Sequence, residues 1–202
     1  SEDCVDSLVR ANDPAELFVR GGALVRVRPD EKGRPIIDNI NEPMLAGRLT
    51  RTADFNKMGS KGVARPCPPL QEAVKDILAM GQWPFPPLAG VVEVPTLRPD
   101  GSILATLGYD PATGLCYLAE PSLIVPPIPE YPSPNDVQKA VAIVDDVLFD
   151  FPFVDPASRA NAWAVLLTSM IRHAIQGRVP LCLCDSPKAG TGKGLFTLAW
   201  LP

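Results

Sequence analysis

His173 is the only histidine in the 202 residues, so a histidine-based metal cluster is excluded. A Ser-His-Asp or Cys-His centre would have to draw on that one imidazole from inside a helical stretch with no matching motif. No C-x-x-C pair occurs among the five cysteines, Cys4, Cys67, Cys116, Cys182 and Cys184. An odd count without that spacing argues against a disulfide scaffold and for a reducing, cytoplasmic setting. No apolar run reaches the ~18 residues of a membrane span, and no signal peptide is visible. The net charge of −4 gives no global attraction to nucleic acid. The first residue is Ser1, not Met, which leads us to expect a processed, trimmed or partial copy.

Proline is what the chain has in excess, 24 residues in 202, more than twice the usual ~5%. It marks four stretches. Residues 1–65 read as a small α+β unit: a short helix at 3–12, two strands around Gly21-Gly22, which is a two-residue hairpin signal, a strand at Ile36-Ile37, and a helix capped by Asn41 with Pro43 in its first turn. Residues 66–123 read as a helix followed by antiparallel strands at 90–94, 102–105 and 115–118, with turns at "RPDG" and "YDPATG". Residues 124–134, "IVPPIPEYPSP", read as a linker or as an ordered strap over the sheet, since such a run is extended and cannot join a central sheet. Residues 135–202 read as a helical pair and then a buried strand, "VPLCLCD". The expected stripes are Val137, Val141, Val144 and Leu148 on the first helix, and Ala160, Trp163, Leu167, Met170 and Ile171 on the second. Cys182 and Cys184 share one face of that strand and read as small buried hydrophobes; Trp83, Trp163 and Trp200 read as packing residues.

Charge is biased locally. Arg48, Arg51, Lys57, Lys61 and Arg65 stand against one acid, Asp54, in residues 48–65. These cations suit a phosphate backbone, so DNA is a candidate partner. An ordinary solvated loop has the same composition, and only Phe55 offers a stacking ring.

Near the end stands "DSPKAGTGKGLF". Aligned on the Walker A pattern, its eight places are Pro187, Lys188, Ala189, Gly190, Thr191, Gly192, Lys193 and Gly194. Gly190 and Gly192 permit the turns that aim successive N–H groups inward, and Lys193 would reach the β- and γ-phosphates. Ala189, Gly190, Thr191, Gly192, Lys193 and Gly194 are therefore the candidate residues for ATP. Two places depart from the pattern. Pro187 replaces the first glycine. Gly194 replaces the Ser or Thr whose hydroxyl holds Mg²⁺, so Mg²⁺ is expected to bind weakly or not at all. Asp145-Asp146 are the upstream acids closest to the motif, but they sit on a helix, where a solvated face is the simpler reading.

"DFPFVDPASRANAWAVLLTSMIRHAI", "VPLCLCDSPKAGTGKG" and the upstream "PPLAGVVEVPTLRPDGSILATLGYDPATGLCYL" resemble a group of phage and mobile-element replication proteins that carry a primase-associated, helicase-type P-loop ATPase. The resemblance covers roughly residues 15–197. It implies ATP binding at Lys193 and the neighbouring glycines, a role in DNA replication, and a primase or a second copy as partner. By this comparison the ATPase core would continue beyond residue 202, and this chain would be an N-terminal portion ending just after the loop. The expected fold is then an α+β N-terminal region with a small antiparallel sheet, followed by helices and the first β-loop-α of a truncated P-loop NTPase core. Walker B and arginine-finger segments are absent from the sequence, so hydrolysis by this chain alone is not expected. Two further readings compete: a non-catalytic module binding DNA or a partner through residues 1–65 with a relic phosphate loop, and an anion-binding turn with no nucleotide role.

Overall fold

Gly21 and Gly22 take φ of 56° and 77° in the computed structural model, the left-handed pair that a two-residue hairpin with the natural strand twist requires. The structure describes residues 2–58, 63–119, 122–186, 188 and 190–198. Among these the chain is mixed α+β, with six helices and four small sheets. It divides into two units, Ser1–Pro95 with Leu104–Leu123, and Thr96–Ile103 with Ile124–Pro202.

The first unit opens with α1 (Glu2–Arg10), then β1 (Leu17–Arg20), β2 (Ala23–Pro29) and β3 (Pro35–Asn39), which form an antiparallel sheet in that order. The Asn12 side chain ties α1 to β1. Its carbonyl accepts from the Glu16 and Leu17 amides at 3.0 and 2.8 Å, and its amide donates to Leu17 O at 3.0 Å. Helix α2 (Glu42–Thr52) starts as predicted, with the Asn41 side chain accepting from Met44 N. The strands β4 (Asn56–Met58) and β5 (Ala64–Pro66) follow as an exposed two-stranded ribbon, and α3 (Gln71–Ala79) comes next. Val5, Leu8, Leu17, Leu24, Leu45, Leu49, Val74, Ile77 and Phe85 make the core between helices and sheet.

The second sheet of this unit corrects an expectation. Strand β6 (Gly90–Val92) pairs in parallel with β10 (Leu115–Tyr117), and only β9 (Gly108–Asp110) is antiparallel to β10. The chain turns at Arg98–Gly101, which belongs to the second unit, and it reverses at Asp110–Gly114 between β9 and β10. Both turns use the glycine their sequences offered: Gly101 has φ 84° and Gly114 has φ 71°. The first turn is flanked by β7 (Thr96–Leu97) and β8 (Ile103–Leu104).

In the second unit, residues 124–132 are in neither helix nor strand and are exposed. Ser133 and Asp136 form a reciprocal capping box that starts α4 (Pro134–Val147), and Asp155 caps α5 (Pro156–Met170). The predicted stripes are only partly buried. Leu148 is buried, whereas Val137, Val141, Leu167 and Met170 are exposed. The core here is small: Leu148, Ala162 and Phe196, with Val144, Phe151, Phe153, Trp163, Leu166 and Cys184 against it. So few partners cannot cover both stripes.

The expected strand at 179–185 is absent. Residues 178–186 belong to no strand, and Leu181 and Leu183 are 95% and 86% exposed. A buried strand needs neighbours to take its N–H and C=O groups, and among the described residues no strand pairs with this segment. The opening β-loop-α is thus seen only as a loop followed by α6 (Lys193–Leu198).

Candidate functional site

The loop before α6 is built from two glycine turns and a short ladder of hydroxyls. Gly190 and Gly192 have φ of 82° and 81°, the left-handed conformation their type allows and others resist. Between them Thr191 Oγ1 meets Ser186 Oγ and lies 3.3 Å from Lys188 O, which also accepts from Ser186 Oγ at 2.9 Å. This draws residues 186 and 188 toward 191 and closes the loop. Phe196 N donates to Gly192 O at 2.8 Å, the first bond of α6. Among the described residues the amides of Gly190, Thr191 and Gly192 find no acceptor.

Three aromatic rings hold the loop in place. Phe151 and Phe153, from the connection between α4 and α5, meet Phe196 edge-on at centroid distances of 5.3 and 6.2 Å. A Cβ added at Gly192 would lie 3.4 Å from the Phe151 ring. The glycine is required by its φ, and a methyl group there would rest in contact with the ring. The three phenylalanines were not singled out from sequence; the signal available was the aromatic repeat in "FDFPF" ahead of the loop.

Thr191 and Lys193 line a cavity of about 730 Å³, together with Cys184, Asp185, Ser186 and residues from 151 to 162. That volume is in the range of ligand pockets. Lys193 is exposed, and among the described residues its ammonium makes no hydrogen bond or ion pair. Burial, then the neighbouring Cys182, pushes the Cys184 thiol up, while Lys193 pulls it the other way. Asp185 turns its carboxylate back on the Ser186 amide at 2.7 Å. Cys182 is exposed and Cys184 half-buried, so the expected pair of buried hydrophobes is not formed.

Of the six sequence candidates, Gly190, Thr191, Gly192, Lys193 and Gly194 come together at this loop; Ala189, like Pro187, lies outside the described residues. Gly194 is the second residue of α6, and nothing stands within 4 Å of where its Cβ would be. The hydroxyl of Thr197 does not take over the metal position, because it donates to Gly194 O at 2.9 Å. Asp145 turns out to be engaged: its carboxylate accepts from Arg159 at 2.7 Å and from the Trp163 indole at 2.9 Å. His173 follows α5, its imidazole held below the usual value by burial and by Arg172. Among the described residues no group of three or more His, Cys, Asp or Glu could hold a metal ion, and no helix is long and apolar enough to cross a membrane.

The basic residues of the first unit separate into two sets. Arg48 is committed to Glu16 in an ion pair and also reaches Ala11 O. Lys57 and Arg65 stand directly opposite each other on the β4–β5 ribbon, both exposed. Arg51 is exposed at the end of α2, and Lys61 lies outside the described residues.

Comparisons of the chain with family models, curated proteins and solved structures each find no match.

Proposed function

We propose that residues 186–194 hold the polyphosphate of a nucleotide, ATP or ADP, and that the chain is an ATP-binding component of a phage or mobile-element replication system. One observation carries this reading: two left-handed glycines bracket Thr191 and lead directly into Lys193, which lines a ligand-sized cavity and whose ammonium has no partner among the described residues. Glycine-hinged backbone leaves N–H groups free to meet phosphate oxygens, and the lysine neutralises their charge. Hydrolysis is not part of the proposal. Gly194 brings no hydroxyl to Mg²⁺, so binding is expected with little dependence on the cation. Isothermal titration with ATP and ADP, with and without Mg²⁺, tests this directly. Heat of binding that disappears in Lys193→Ala supports it; no heat from well-folded protein under either condition ends it.

A second reading concerns DNA and rests on the ribbon. Like charges directly opposite on two strands repel each other, and an anionic backbone laid along Lys57 and Arg65 would relieve that repulsion. DNA retention that weakens with salt and drops in Lys57→Ala/Arg65→Ala, but persists in Arg48→Ala, supports it. Retention indifferent to the double substitution argues against it.

A further inference from the structure

The cavity lined by Lys193 also has apolar lining residues. Val154 and Leu183 both line it, and they are 88% and 86% exposed. Two large apolar side chains left open beside one cation are what a ligand with a flat apolar part and a charged part would cover. Phe153, half-buried, and Ala162, buried, line it as well. Asn161, on the first turns of α5, faces the same cavity, and among the described residues its carboxamide makes no hydrogen bond. A carboxamide carries an acceptor and donors side by side. That arrangement matches the adenine edge, where an amino donor adjoins a ring-nitrogen acceptor; the corresponding edge of guanine offers two acceptors and suits Arg or Lys instead.

Resting on the phosphate-loop reading above, we infer that the cavity is an adenine-nucleotide site: the base lies against Val154 and Leu183, Asn161 pairs with its amino edge, and the phosphates reach Thr191 and Lys193. The loop supplies affinity for any polyphosphate; Val154 and Leu183 hold a purine, and Asn161 supplies the choice of base.

Titration of the full chain with ATP, GTP and inorganic tripolyphosphate separates the two claims. ATP is expected to bind about tenfold or more tightly than either of the others, a margin within the reach of one two-point base contact. Asn161→Leu, an exposed substitution of similar size, is expected to bring ATP down to the level of GTP and to leave tripolyphosphate unchanged. Val154→Ser is expected to weaken ATP, and GTP with it, but not tripolyphosphate. Lys193→Ala is expected to weaken all three. If ATP, GTP and tripolyphosphate bind equally, or Asn161→Leu shifts all three alike, the adenine site is overturned while the phosphate loop stands. If none of the three binds, both readings fall together.

Discussion

The Trp163 indole N–H donates to the Asp145 carboxylate across 2.9 Å, joining α5 to α4. The same oxygen accepts from Arg159 at 2.7 Å. The two contacts are unequal in energy. Arg159 and Asp145 are 45% and 42% exposed, and exposed ion pairs contribute about 0–1 kcal/mol. The half-buried indole would be left without a partner, which costs about 1–3 kcal/mol for a fully buried group.

Asp145→Ala is therefore expected to destabilise the protein by about 1–2 kcal/mol, and Arg159→Ala by less than about 0.5 kcal/mol. Asp145→Asn, which keeps an acceptor for the indole, should resemble Arg159→Ala. Urea denaturation of the three variants checks the order, and equal losses for Asp145→Ala and Arg159→Ala would refute it.

The Gly21-Gly22 turn gives a second expectation. A Cβ at Gly21 meets nothing within 4 Å, so a substitution there is felt through the backbone alone. Gly21→Val is expected to cost about 1–2 kcal/mol for its left-handed φ, and Gly21→Asn distinctly less, since Asn tolerates that conformation. Thermal melts that place the two variants together would show that the turn does not hold the hairpin.

Acid should loosen the helical pair. The Ser133 hydroxyl, and then the Ser133 amide, hold Asp136 below the ordinary aspartate value; the Ser158 amide does the same for Asp155. A carboxylate lowered in the folded state stabilises it fully above the unfolded value of about 4. That contribution is lost as pH falls through the lowered folded value. Helical circular dichroism should thus decline on the acid side of pH 4, and in Asp136→Asn/Asp155→Asn that decline should be shallower. An unchanged acid limb in the double variant would mean that the caps do not drive it.

Gly194→Ser tests the missing metal ligand, on the premise that the loop binds nucleotide. The site has room for the side chain, and serine is the better helix former by about 0.5 kcal/mol. The variant is expected to bind ATP more tightly with Mg²⁺ than without it, whereas the parent shows little difference. Titrations with and without the cation read the change, and a variant as indifferent to Mg²⁺ as the parent would place the cation elsewhere.

What could be read from the sequence was what neighbours in the chain decide. The turn at Gly21-Gly22, the cap at Asn41, and the glycines at 101, 114, 190 and 192 each follow from one residue's φ or one side chain's reach. What could not be read depends on distant partners. "VPLCLCD" has the composition of a buried strand, yet a strand exists only beside another, and Leu181 and Leu183 stay exposed. Asp145 was readable as a helix-surface acid, but its engagement with Arg159 and Trp163 spans 14 and 18 residues. Gly192 showed its conformational need in the motif; the ring of Phe151 beside it came only with the fold.

That neighbour makes positions 151 and 192 a single unit of variation. A methyl group at 192 would touch the ring at 151, 3.4 Å from its nearest carbon, and trimming the ring leaves a gap that no glycine can refill. Substitutions at the two places will not add, so a lineage that alters one is pressed to alter the other.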